Sequence, residues 1–260
     1  IFLAPQSRDY KKIFDGEYGP NTGGLGAVSP VFVLSELELE MVKEKLDKVV
    51  NHFNYKGVLY AGIMKTEDKI YFLEFNCRFG DPETQVILNL LKTDLFEVVQ
   101  KCVSGKDLQL EWLDKKCLTV VLSHQSYPHS RKETPFKVLL GSLDSKIKIY
   151  PGNLTVWEGE FYSTGGRILN LTYVSDSHYE NFTKIYDNCK RLSYEGIYYR
   201  KDIGLELFHS TKKLKIGILA SGNGTSCGKL FESDNLDSSV EVIISNKSDS
   251  GVLTKAKEKG

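Results

Sequence analysis

The chain has 260 residues, 41% hydrophobic and 26% charged, an ordinary globular composition long enough for more than one compact unit. Its 34 basic and 34 acidic residues cancel, which excludes a bulk field toward nucleic acid or an anionic membrane and leaves small molecules or proteins as partners. No apolar run reaches the length of a membrane span and no signal-peptide pattern opens the sequence, so the expected compartment is the cytoplasm.

The opening segment alternates around Arg8, Tyr10 and Lys12 and predicts a strand, with Asp9 and Lys11 on its other face. GPNTGGLGA, Gly19 to Ala27, carries four glycines in eight positions and predicts a loop rather than a regular helix or strand. Successive N–H groups in such a loop can form an anion nest, with Arg8, Lys11 and Lys12 adding positive charge; the alternative is a mobile surface loop. Ser35 to Phe53 predicts an amphipathic helix, with a capping box of Ser35 and Glu38 and apolar residues Leu39, Val42, Leu46, Val49 and Phe53 at helical spacing. Val58 to Met64 and Lys69 to Asn76 predict an antiparallel hairpin around the polar turn Thr66 to Asp68.

The second hairpin strand runs into LEFNCRFGDPETQ, Leu73 to Gln85. Strict alternation places Glu74, Asn76 and Arg78 on one face and Leu73, Phe75 and Cys77 on the other. A carboxylate, an amide oxygen and a guanidinium in line can hold a hard divalent ion with a polyphosphate beside it. Asp81 fits an N-cap and Pro82 the first position of a helix running to about Ser104, where Gly105 ends it.

From Leu108 the texture changes to short strands, Cys117 to Ser123, Ile147 to Tyr150, Leu154 to Trp157 and Arg167 to Tyr173, followed by a helix near Ser177 to Leu192. His209 to Lys213 reads as a linker. LKIGILA, Leu214 to Ala220, then SGNGTSCGKLF, then Val240 to Ser245 predict the start of a βαβ unit. Cys227 and Asn246 stand where a dinucleotide fingerprint needs a small residue and an acid, so a nicotinamide cofactor is not expected, while phosphate binding at the helix start stays open. The five cysteines form no C-x-x-C pair, and the five histidines lack zinc-ligand spacing.

SRDYKKIFDGEYGPNTGGLGA, LYAGIM, LEFNCRFGDPETQ, STGGRILNLT and YEGIYYRKDIG together resemble the phosphoribosylamine:glycine ligase family, which are ATP-grasp enzymes. KIGILASGNGTS followed by ISNK is similar to the opening of the glycinamide ribonucleotide formyltransferases, and the two families occur fused in purine-synthesis polypeptides. The resemblance implies an α/β chain divided into an ATP-grasp C-terminal lobe at 1–105, a mainly β ligase domain at 106–207, a linker at 208–213 and a truncated formyltransferase-like βαβ unit at 214–260.

The implied reaction joins glycine to 5-phosphoribosylamine with ATP and Mg²⁺ or Mn²⁺. By resemblance Glu74 and Asn76 are metal ligands, Arg78 contacts phosphate or acyl-phosphate, and Asp81 meets the substrate amine. The glycine-rich loop matches the family's substrate-binding loop, which implies binding roles for Asp15, Asn21, Thr22 and Gly23. Gly224, Thr225 and Ser226 align with the loop for the ribonucleotide phosphate. The implied partners are small-molecule substrates and other purine-synthesis domains of one polypeptide, with neither nucleic acid nor membrane. The adenine-binding segment and lid are expected before Ile1, so the 260-residue chain alone is expected to have little ligase activity. The other readings are a catalytically incomplete remnant or assembly module, and formyltransferase activity in the complete chain.

Overall fold

The computed structural model describes residues 1–130, 134–208, 214–220, 222 and 238–259. The chain falls into two compact units, Ile1–Leu205 and Glu206–Gly260. Among the described residues no helix is long and apolar enough to cross a membrane.

The first unit opens with short strands β1 (Arg8–Asp9), β2 (Lys12–Phe14), β3 (Tyr18–Asn21) and β4 (Gly26–Ser29). The glycine-rich stretch is thus largely extended, contrary to the expectation of a loop, and only residues 22–25 lie between strands. The reason is burial: Leu25, Ala27 and Val28 are fully enclosed, and β4 is hydrogen-bonded on both sides, to β1 and to the long strand β7 (Lys116–His124). A buried backbone must pair its N–H and C=O groups, and ladder bonding overrides the low strand propensity of glycine.

Helix α1 (Glu36–Phe53) begins with the predicted capping box, Ser35 and Glu38 bonding reciprocally, and ends on Asn54 in the left-handed conformation. Its buried Val42 and Leu46 pack with Leu34 against Ala61, Ile63, Ile70 and Phe72. Those residues come from the antiparallel hairpin of β5 (Tyr60–Lys65) and β6 (Ile70–Asn76), as the alternation predicts. One turn of helix, α2 (Glu83–Ile87), and then α3 (Leu95–Ser104) replace the single predicted helix. The break has a local cause: Asp94 caps α3 by accepting from the Glu97 N–H at 3.0 Å, and Leu91 bridges to Trp112.

The remaining elements are β8 (Phe136–Leu140), β9 (Lys148–Pro151), β10 (Thr155–Trp157), β11 (Glu160–Ser163), β12 (Arg167–Ser175), α4 (His178–Cys189), β13 (Leu192–Ser193) and β14 (Ile197–Tyr198). A sheet in the order β1-β4-β7-β12-β9, with β14 also on β7, takes strands from both sides of residue 105, where a domain boundary was expected. A second sheet runs β10-β11-β8-β13. Strands β7 and β12 form the core of the larger sheet. Leu118, Val120, Val121, Leu122, Ile168, Leu169 and Leu171 are all fully buried, and the cross-strand pair Thr119 and Thr172 joins hydroxyls at 2.7 Å, so neither is left unsatisfied. The predicted helix near Ser177 is α4, and the Ser177 side chain caps it by accepting the Glu180 N–H.

In the second unit, β15 (Leu214–Leu219) and β16 (Ser238–Ile244) pair in parallel and are followed by α5 (Gly251–Lys259). Gly224, Thr225 and Ser226 lie outside the described residues, as does most of the connection between the two strands.

Candidate active site

Strand β6 carries Glu74 and Asn76 on one face, where they stand opposite Gly62 and Tyr60 of β5. The alternation is not strict. A register shift between Gly62 and Ile63 leaves Leu73 unpaired as a bulge, so Phe72 and Phe75 lie on the α1 side with ring centroids 5.6 Å apart. Leu73, 59% exposed, and the exposed Cys77 therefore do not form the expected apolar face. The bulge aims Glu74 outward, and Gly62 leaves space beside it: a Cβ there would stand 3.1 Å from Glu74 Cγ.

Two hard oxygen donors on an open face fit a divalent cation, though no group of three or more metal-type side chains is gathered among the described residues. Glu74 and Asn76 are the side chains of this face that could hold one. Arg78 lies just beyond, its Nη1 donating to the Phe79 carbonyl at 2.8 Å, and it lines a cavity of about 520 Å³ with Gly23, Asp81, Thr84 and Arg167.

Asp81 does not cap a helix, contrary to the sequence expectation. The start of α2 has no side-chain cap, because the Asp81 carboxylate is taken by Arg167 Nη2 at 2.8 Å and by Gln85 Nε2 at 3.0 Å. Arg167, at the start of β12, is the junction of the site. Its Nη1 also donates to the Gly23 carbonyl at 2.9 Å and the Asp81 carbonyl at 3.0 Å, so one planar guanidinium ties the glycine turn to the end of the metal-face segment. A second, polar cavity of about 730 Å³ opens on its other side, lined among others by Asp81, Gln85, Tyr127, His129 and Asn153.

The turn itself is closed rather than nest-like. Thr22 donates through N and Oγ1 to the Lys11 carbonyl at 2.7 and 2.8 Å. Gly23 N–H donates to the Tyr127 hydroxyl at 2.8 Å, Gly24 N–H to Thr22 Oγ1 at 3.0 Å, and Leu25 N–H to the Tyr10 carbonyl at 2.9 Å. With these donors committed the segment is no anion nest. Gly24 sits at φ +107°, and a Cβ on it would meet Asp9 Oδ1 at 2.6 Å, so the turn admits no side chain there.

Asn21 lies on the exposed strand β3, paired with Lys12. Asp15 is engaged elsewhere, its Oδ1 accepting the Lys201 N–H at 2.8 Å. Beside it the fully buried Arg200 donates to Asp202 at 2.8 and 2.7 Å, to Glu17 at 2.7 Å and to the Lys12 carbonyl at 3.0 Å, which anchors RKDIG to the β2–β3 hairpin.

Five participants escaped the sequence reading: Glu83, Tyr60, Tyr127, Arg167, and Asp9 in its buried setting. Glu83 is 3% exposed and accepts from the Tyr60 hydroxyl at 2.8 Å; burial and this carboxylate together push the Tyr60 phenol up from its usual value. Burial and the charge of Glu83 push the Asp9 carboxyl up to about 7, despite its bond to Lys11 and the charge of Arg167. Burial pulls the Lys11 ammonium down, but the Asp9 carboxylate, with Glu83 and Glu74, outweighs it and holds Lys11 above its ordinary value. The only sequence signal for Arg167 was its place in STGGRILNLT, with no hint of its partner.

Two family descriptions match the chain: the phosphoribosylglycinamide synthetase ATP-grasp (A) domain over residues 1–84 and the phosphoribosylglycinamide synthetase C domain over residues 117–206. The phosphoribosylamine–glycine ligase of Caldanaerobacter subterraneus subsp. tengcongensis is 39% identical over 203 residues, covering 75% of this chain and 48% of that protein. The trifunctional purine biosynthetic protein adenosine-3 of Gallus gallus is 36% identical over 210 residues, covering 77% of this chain and 21% of that protein. The crystal structure of phosphoribosylamine–glycine ligase from Thermotoga maritima matches with a TM-score of 0.68 at 30% identity, covering 77% of this chain and 51% of that one. The chain thus spans about half the length of the single-function ligases it matches. With the ATP-grasp and C domain descriptions meeting on one continuous sheet, the chain belongs to the phosphoribosylglycinamide synthetase family.

Proposed function

We propose that the polypeptide carrying this chain joins glycine to 5-phosphoribosylamine, with ATP converted to ADP and phosphate. The observation that carries this reading is the placement of Glu74 and Asn76 on one open face of β6, in a segment continuous with Arg78 and with Asp81, which Arg167 clamps to the Gly23 turn. In the first step a glycine carboxylate oxygen bonds to the γ-phosphorus as its bond to the ADP oxygen breaks. In the second, the amine nitrogen bonds to the acyl carbon as phosphate leaves, and the amine proton departs with phosphate.

A divalent ion, Mg²⁺ or Mn²⁺, supplies charge neutralisation on the phosphate oxygens when bound. The chain's own residues do the rest. Arg78 faces a cavity beside that end and contacts phosphate or acyl-phosphate, while Asp81, held by Arg167, receives the substrate amine. Asp15, Asn21, Thr22 and Gly23 form the substrate-binding edge, held by the Thr22 hydroxyl donating to the Lys11 carbonyl and by the Lys201 N–H donating to Asp15.

The parallel pairing of β15 and β16 supports reading residues 214–260 as the start of a formyltransferase-type unit, with Gly224, Thr225 and Ser226 at its phosphate loop. The free thiols Cys77, Cys102, Cys117 and Cys189 fit a reducing compartment, the cytoplasm.

The test is ADP formation by the full-length polypeptide with glycine and phosphoribosylamine supplied together and singly. Turnover requiring both supports the ligase. A folded protein without turnover favours the non-catalytic assembly module instead.

A further inference from the structure

A charged cluster beneath the Gly23–Gly24 turn is not used by the chemistry above. The Asp9 side chain is 8% exposed; Lys11 Nζ bonds its Oδ2, and Oδ1 has no hydrogen-bond partner. Glu83, 3% exposed, is bonded through Oε1 to Tyr60. Two enclosed carboxyls thus stand together, one bonded to the Lys11 ammonium and the other to a phenol, with the charge of Arg167 also felt at Asp9. As a device for stability this is poor, since burying charge is costly and a well-packed apolar set serves as well or better. A buried carboxyl with an open oxygen, set against the Gly23–Gly24 turn, is a candidate for function.

Lys11 is the member of the cluster that reaches out. Its side chain is 43% exposed against 8% for Asp9, and its charge is felt from Glu83 and from Glu74 on the β6 face. An ammonium has three N–H donors, of which Asp9 takes one from the buried side. The main chain is fixed as well, because the Lys11 carbonyl accepts both bonds from Thr22. A cation is therefore held from behind by a carboxylate closed to water and lies in the field of the metal-type face.

We propose that Lys11 is a catalytic cation that contacts the phosphoryl group in transit, and that Asp9 is its positioning residue. This rests on the ligase reading only in that the group transferred is the γ-phosphoryl of ATP. As the acceptor oxygen bonds to phosphorus and the bond to the ADP oxygen breaks, negative charge spreads over the equatorial oxygens, and a fixed cation there lowers the barrier. Lys11 neither gives nor takes a proton in this step.

The experiment uses the full-length polypeptide and its Lys11→Met, Lys11→Arg and Asp9→Asn variants, each checked for fold by thermal melting. One readout is kcat for ADP formation with glycine and phosphoribosylamine. The other is the tightening of MgADP binding by aluminium fluoride, a mimic of the transferring group.

Lys11→Met is expected to lower kcat about 100-fold, with the ATP KM within about threefold, and to abolish most of the fluoride tightening. Lys11→Arg should recover about tenfold of that loss, and Asp9→Asn should lose about tenfold. Should Lys11→Met fail to fold, Asp9→Asn carries the same test with its smaller effect. Parental kcat and tightening in the folded variant would overturn the proposal, as would equal losses in Lys11→Met and Lys11→Arg that track melting temperature alone. A parent without turnover counts against the ligase reading, and the fluoride measurement still decides Lys11; a parent without fluoride tightening overturns both.

Discussion

Two charged clusters draw on the same short stretch, residues 9–17, and differ in how their hydrogen bonds close. Around Arg200 the hydrogen bonding is closed: a fully buried guanidinium makes four bonds, to two carboxylates and a carbonyl, and those carboxylates remain partly exposed at 45% and 21%. Around Asp9 it is left open: Lys11 bonds one oxygen of an enclosed carboxyl, and the other oxygen bonds to nothing. The first cluster fixes RKDIG to the β2–β3 hairpin and so sets where the Gly23 turn sits. The second lies under that turn, toward Glu74, and keeps its charge unspent for a ligand. A satisfied buried network rigidifies what it joins, whereas local rules are broken most often at functional or strained sites.

The comparison can be broken most severely at Arg200. Arg200→Met leaves Glu17 and Asp202 without their partner, and chemical denaturation should show a loss of about 3 kcal/mol. A loss below about 0.5 kcal/mol would show that the cluster anchors nothing.

Asp9 gives the next largest effect, with a definite sign. Its folded value of about 7 lies above the unfolded one, so the native state holds a proton that the unfolded chain releases. That contribution is fully present below the unfolded carboxyl value and is lost as pH rises through about 7. Stability should therefore fall by a few kcal/mol between about pH 4 and 7, and Asp9→Asn should flatten the slope. Parallel pH profiles for parent and variant would contradict this.

Asp81→Ala tests the clamp at Arg167. The pair is half exposed, so stability should drop by about 1 kcal/mol, while the role proposed for Asp81 at the substrate amine predicts that turnover falls much further. The smallest change expected is Ser35→Ala, about 1 kcal/mol or less from the lost α1 cap, with kcat unaltered.

Local chemistry was legible wherever one element decided its own form. The capping box at Ser35, the hairpin of β5 and β6, and the sharing of a face by Glu74 and Asn76 all follow from spacing alone. The rest depended on partners distant in sequence. The glycine-rich stretch became strand because β7 lies about 90 residues away and pairs with it. Asp81 left its expected cap for Arg167, 86 residues on, and the helix after it broke because Asp94 offered a better cap and Trp112 a bridge. The bulge at Leu73 needed the register of β5, which alternation within one strand cannot report.

The most direct measurement is calorimetric titration of the full-length polypeptide with ATP at saturating Mg²⁺, beside its Glu74→Ala and Asn76→Ala variants. Metal-dependent binding that weakens about tenfold or more in both variants, with melting temperatures unchanged, is the expected result. Identical isotherms for all three proteins would contradict the assignment of the β6 face as the ion end of the site.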